Sequence, residues 1–181
     1  PLKNLNAFGD GGIFSTNSKK IYDYFYKARN HGLRNRDSCD FWSFNCRLDE
    51  LQAAFLNEQI RQLDKFIKLR IKIANYYNHE LNNFVVVPKT NNYEYHSYQT
   101  YVIRAEKRDK LKNYLKKNGV EALIHYPNPI HLQNVKGGKT KKFDLSKTEK
   151  YAKQILSLPL YPGLSISNQS KIVTLIKNFY R

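Results

Sequence analysis

With 181 residues, 41% of them hydrophobic and 14% aromatic, the chain can bury a core, which excludes an intrinsically disordered tail. Its 31 lysines and arginines against 15 carboxylates give a net charge of +16, a balance that raises nucleic acid as a partner. The lysines are distributed along a chain also rich in Asn, Tyr and Ile, which reads as compositional bias on a solvated surface, so no nucleic acid is expected. The one compact basic cluster, Lys136-Gly137-Gly138-Lys139-Thr140-Lys141-Lys142, is broken by glycines and reads as a loop. Cys39 and Cys46 make neither a disulfide framework nor a zinc-ligand set. No apolar run reaches membrane-spanning length and no signal peptide is visible. A cytoplasmic location with no membrane partner is the expectation. No methionine occurs.

The chain opens on Pro1-Leu2-Lys3-Asn4-Leu5, followed by Gly9-Asp10-Gly11-Gly12, which taken alone is a tight turn. Ile13-Phe14-Ser15-Thr16 predicts a strand. Asn17 or Ser18 can cap the helix that follows, with Ile21, Tyr24, Phe25 and Ala28 at helical spacing and Gly32 as a left-handed stop. Residues 33–46 read as a loop that carries Phe41, Trp42 and Phe44, aromatic side chains that need a core, a partner chain or a ligand to cover them. From Arg47 one apolar stripe runs through Leu48, Leu51, Phe55, Leu63, Phe66, Ile67, Ile73, Ala74, Tyr77 and Leu81. It predicts one long helix that ends at Asn82-Asn83 and marks a domain boundary.

Phe84–Val87 predicts a strand closed by Pro88, and Ser97–Ala105 a second. Asp109–Asn118 predicts a helix with Leu111, Tyr114 and Leu115 inward, stopped by Gly119. Val120–Ile124 predicts a third strand, and Pro127 and Pro129 a turn. Ser146-Lys147-Thr148-Glu149 reads as a capping box opening a helix with Tyr151, Ala152, Ile155 and Leu156 inward. Pro159 and Pro162 break the chain before a last helix bearing Ile172, Leu175, Ile176 and Phe179. The order predicts a small α+β layer domain over residues 84–181, preceded by residues 1–83.

Little chemistry follows from the residue types alone. His31, His79, His96, His125 and His131 are scattered. His125 and His131 lie six apart across two prolines and lack a third metal ligand, so no metal is expected. No P-loop, G-x-S-x-G or G-x-G-x-x-G occurs. His125-Tyr126-Pro127 at a strand end can line a cleft, and a satisfied structural histidine reads equally well. A Schiff-base lysine needs a lowered pKa and a buried site, and spacing reports neither for Lys3.

Five ordered strings together resemble the nucleotide-sugar aminotransferases of the DegT/StrS type, within the fold type I pyridoxal-phosphate enzymes. Pro1–Leu5 with Gly9–Gly12 resembles the family's Schiff-base lysine segment, and Arg29-Asn30-His31-Gly32 its next signature. Phe44-Asn45-Cys46-Arg47-Leu48-Asp49-Glu50-Leu51-Gln52-Ala53-Ala54 resembles its most recognisable string. His125-Tyr126-Pro127-Asn128-Pro129-Ile130-His131-Leu132-Gln133 resembles a small-domain loop, and Leu156-Ser157-Leu158-Pro159-Leu160-Tyr161-Pro162 the segment before the last helix.

The resemblance implies an α/β chain: a remnant of the large cofactor-binding domain and a long connecting helix over residues 1–83, then a small α+β C-terminal domain over 84–181. It implies pyridoxal phosphate as cofactor, with Lys3 as the catalytic, cofactor-bearing lysine that serves as nucleophile, leaving group and base in turn. Asn45 matches a residue that reaches the cofactor phosphate of a neighbouring subunit, so a homodimer is implied. His125, Tyr126 and His131 match a loop near the sugar. A dehydratase branch of the family carries histidine at the lysine position, so Lys3 favours transamination. The implied substrates are a nucleotide-linked keto sugar and glutamate, in surface-polysaccharide or deoxysugar biosynthesis. The family's first half has no counterpart in this sequence. The expectation is therefore a C-terminal fragment, inactive alone, whose missing half could come from a separate chain. A non-catalytic remnant or self-association module is the alternative.

Overall fold

A computed structural model describes residues 3–134 and 144–181; the Lys136–Lys142 cluster lies outside the described residues. The chain forms two compact units, Pro1–Asp64 and Lys65–Arg181. The division falls inside one 32-residue helix.

In the first unit, α1 (Lys19–Ala28) is capped by Ser18, whose Oγ accepts from the Ile21 amide. Ser18, rather than Asn17, is the cap. The helix ends four residues before Gly32, but Gly32 does adopt the left-handed conformation, at φ +72°, and its amide bonds to the Lys27 carbonyl at 2.9 Å. A β-carbon at Gly32 would stand 1.9 Å from the Phe41 carbonyl oxygen, so the turn admits only glycine.

Two expectations fail in this unit. Ile13–Thr16 forms no strand, because no partner strand lies beside it among the described residues, and Ile13 is 99% exposed. Residues 33–46 are not all loop: β1 (Leu33–Asn35) and β2 (Ser38–Cys39) pair antiparallel, and an Asn30–Asn45 bridge lies beyond them. Asp40 clasps this hairpin to the end of α1. Its carboxylate takes the Arg34 Nε at 2.7 Å and Lys27 Nζ at 2.7 Å, and Arg34 first, then Lys27, holds it down to about 2.

The long helix, α2, runs from Glu50 to Leu81, ending where Asn82-Asn83 predicted. Its last part belongs to the second unit, where Ile73, Ala74, Tyr77 and Leu81 enter the core. There β3 (Tyr101–Arg104) pairs antiparallel with β4 (Ile155–Leu158), Tyr101 opposite Leu158 and Ile103 opposite Leu156. Both pairs face inward, as the period of two requires. The sheet is lengthened sideways by single bridges, Val86 to Arg104 and Leu123 to Ser157. So the strands predicted at 84–87 and 120–124 reduce to one bridge each.

Over the inner face lie α3 (Arg108–Lys117) and α5 (Ile166–Tyr180). Leu111, Leu115 and Ile176 are fully buried there, each stabilising the fold by about 1.5–3 kcal/mol. Gly119 stops α3 at φ +76°.

Two more expectations are corrected. The helix α4 (Ser146–Ala152) ends before Ile155, and Ile155 and Leu156 belong to β4, the strand that pairs with β3. The capping box is not formed. Leu145 holds the cap position without a side-chain bond, the Ser146 amide bonds to Asp144 Oδ1 at 3.3 Å, and the Glu149 side chain turns elsewhere.

Candidate functional site

In the first unit the structure draws three of the five strings together. Phe8 stacks on Phe55 of α2, with ring centroids 3.8 Å apart. The positions where β-carbons would stand on Gly11 and Gly9 are 3.5 Å from Leu48 Cδ1 and 3.8 Å from Gln52 Nε2. The glycine part of the lysine segment is thereby laid on the Phe44–Ala54 string. The second string pairs with the third: the His31 amide bonds to the Phe44 carbonyl at 3.0 Å, and the Cys46 amide to the Arg29 carbonyl at 2.8 Å.

Lys3 is exposed. Its neighbour Asn4 has a buried Oδ1 with no hydrogen-bond partner among the described residues, and so has Gln52 Oε1. Asn45 is exposed, and its Oδ1 accepts from Arg47 Nε at 2.8 Å. The guanidinium therefore steadies the amide and adds a positive charge beside it. Arg47 is a residue that sequence reasoning passed over; its place two residues after Asn45 gave no warning of the bond.

Around these strings the first unit has no core. Among residues 3–64 no hydrophobic side chain is buried. Trp42 is 97% exposed and Phe44 78%, with Phe14, Tyr22, Tyr24, Phe25 and Tyr26 also open. An apolar surface of this kind marks an interaction site.

In the second unit the other two strings meet. His125 Nδ1 lies 2.9 Å from Ser157 Oγ, on a buried residue of β4, which leaves Nε2 for other partners. The Tyr126 ring stands edge-on to the imidazole, centroids 5.5 Å apart, and is 71% exposed. His131, on the short 3-10 turn Ile130–Leu132, is placed differently. Its side chain is 11% exposed, and Nε2 lies 3.0 Å from Glu149 Oε1. Glu149 and Ser157 are the partners that sequence reasoning missed. In sequence the spacing of Glu149 fits a helix cap equally well.

The segment after β4 is fixed from α2. Tyr77 donates to the Pro159 carbonyl at 3.1 Å. Arg70 donates to the carbonyls of Leu160 at 3.0 Å and of Tyr98 and Gln99 at 3.3 Å. Burial lowers the Arg70 pKa.

A helix-layered α/β chain with a lysine segment docked on a long helix and a second α+β unit has the fold of part of a fold type I aminotransferase. The chain belongs to the DegT/DnrJ/EryC1/StrS aminotransferase family, whose sequence profile matches residues 1–177. It is 39% identical to a pleiotropic regulatory protein of Geobacillus stearothermophilus, over all of this chain and 50% of that protein. It is 31% identical to dTDP-3-amino-3,4,6-trideoxy-alpha-D-glucose transaminase of Streptomyces venezuelae, over 99% of this chain and 48% of that enzyme. The crystal structure of S. venezuelae DesV in complex with a ketimine intermediate superposes with a TM-score of 0.93 at 31% identity, over 99% of this chain and 49% of that one. The chain thus spans about half the length of the curated relatives it matches.

Proposed function

We propose that this chain supplies the C-terminal part of a pyridoxal-phosphate-dependent aminotransferase that aminates a keto group on a nucleotide-linked sugar, with glutamate as amino donor. It does not catalyse without the remaining half. The observation that carries this reading is the coreless first unit, whose family strings are packed on one another while its aromatic side chains stay uncovered.

The residues fit the cofactor in part. An aldehyde-bearing phosphate ester needs an amine and anion donors. Lys3 is the amine, and the Asn45 amide backed by Arg47 is a phosphate donor pair, offered to a neighbouring subunit as the resemblance implies. The buried, unpaired Asn4 Oδ1 and Gln52 Oε1 fit donors carried by a further segment. The bound cofactor supplies an electron sink. Lys3 then moves the proton at the substrate carbon, as the resemblance implies. His125 Nε2 and Tyr126 face the sugar, and His131 holds their loop through Glu149.

Pyridoxal phosphate is added to the chain alone and to the chain co-expressed with the N-terminal half of the S. venezuelae transaminase. A yellow chromophore is expected only in the second sample, and not with Lys3→Ala. A Lys3-dependent chromophore in the chain alone would show that it needs no further half. No chromophore from a soluble complex of the two halves would remove Lys3 from its role. The exposed aromatic surface also supports the second reading, a self-association module, which sedimentation of the chain alone would reveal as a dimer with no cofactor uptake.

A further inference from the structure

Once the chain is divided into its two units, its charge is no longer evenly spread. Residues 65–181 hold 22 of the 31 lysines and arginines but 7 of the 15 carboxylates, a net +15, against 9 and 8, a net +1, for residues 1–64. A lysine-rich composition acting on the whole chain would raise both units. A one-sided balance is the mark of an anionic partner.

Among the described residues of this unit, the densest run of cations lies on α3 and at its N-cap. Lys107, Lys110, Lys116 and Lys117 are exposed and Lys112 half-exposed along it. None of them has an ion-pair partner among the described residues; there Glu80 goes instead to His79 and Lys177, Asp109 to Arg108 and Glu149 to His131. Lys112 and Lys116, four residues apart on one face, repel each other. They border a groove of about 330 Å³ that continues past Gly119 to Leu123. Across Gly119, Lys171 Nζ of α5 lies 3.6 Å from where a β-carbon would stand. Glu121 is the one carboxylate on the groove's lining.

We infer that α3 and the groove beside it bind the phosphodiester backbone of a nucleic acid without reading its sequence. The cations are lysines, point charges that suit phosphate without the planar fork that reads bases. The ten residues of α3 span about 15 Å, a length along which the backbone of a single strand can be tracked by a positively charged groove. Leu111 and Leu115 are turned into the core, so the helix offers no aliphatic side chain to insert into a bilayer. The groove receives a linear polymer, whereas a flat membrane would touch only its rim.

The test is fluorescence anisotropy of the whole chain with a labelled thymidine oligonucleotide of about 30 nucleotides. With six lysines on the backbone, affinity should fall about 300-fold between 50 and 200 mM salt, at about 0.7 in slope per neutralised phosphate. Replacing Lys110, Lys112, Lys116 and Lys117 together by Gln should lower that slope by about 3. A second variant with Lys65, Lys68, Lys72 and Lys89 changed to Gln carries the same net charge and should bind within about threefold of the original. No binding at 50 mM salt, or equal loss in both variants, overturns the assignment. So does tighter binding of polyglutamate or of phosphatidylserine vesicles than of the oligonucleotide.

Discussion

Tyr77→Phe isolates one bond that holds the segment after β4. Tyr77 is fully buried, its ring 5.2 Å from that of Tyr101, and its hydroxyl donates to the Pro159 carbonyl at 3.1 Å. Phenylalanine keeps the ring, so no cavity term arises, and the loss is that of the donor to a backbone carbonyl with little access to water. The cost should be about 1–2 kcal/mol, a fall of roughly 4–8 °C in melting temperature for a unit of this size. Thermal and urea unfolding followed by circular dichroism measures it. The variant also has a signature in base. Burial first, then the neighbouring phenols, raises the Tyr77 and Tyr101 pKa values. Groups raised in the folded state contribute stability that is complete below their unfolded pKa near 10 and is lost as pH climbs past it. The native chain should therefore lose stability above about pH 10, and Tyr77→Phe should lose less over the same range. A variant that melts with the native chain and shares its alkaline profile would refute both the hydrogen bond and the burial argument.

Gly32→Ala should unfold the hairpin rather than merely loosen it. Besides the roughly 1–2 kcal/mol of left-handed strain, its β-carbon would stand 1.9 Å from the Phe41 carbonyl oxygen, and backbone must move. Loss of amide protection at Asp40, whose N–H bonds to the Gly32 carbonyl at 2.9 Å, is the readout. Glu149→Ala should free His131, now 11% exposed, at a stability cost within about 1 kcal/mol. Acylation of His131 by diethylpyrocarbonate, followed by mass spectrometry, should be slower than that of His79 in the native chain and comparable in the variant.

Helices were well predicted where their pattern was long or firmly stopped. The 32 residues of α2 carry one stripe without Gly or Pro, α3 ends on Gly119, and α5 is closed by its apolar period. β4 was hidden because Tyr151, Ala152, Ile155 and Leu156 suit one face of a helix as well as a strand, and only pairing with β3 decides between them. Ile13–Thr16 has the composition of a strand but no partner among the described residues, while the short hairpin at 33–39 has a partner but no periodic signal. Strand identity depends on a neighbour far along the chain, and a local pattern cannot report it.

The candidate site divides in the same way. Family membership was visible in five local strings because residue identity at fixed spacing is a property of the chain itself. Their meeting was not: Asn45 with Arg47, His125 with Ser157 and His131 with Glu149 are joined by side-chain directions that spacing leaves open. The charge told least when averaged over 181 residues. Its confinement to residues 65–181, and the lysines along α3 without partners, emerged only when tertiary packing separated the two units and showed which carboxylates were already engaged.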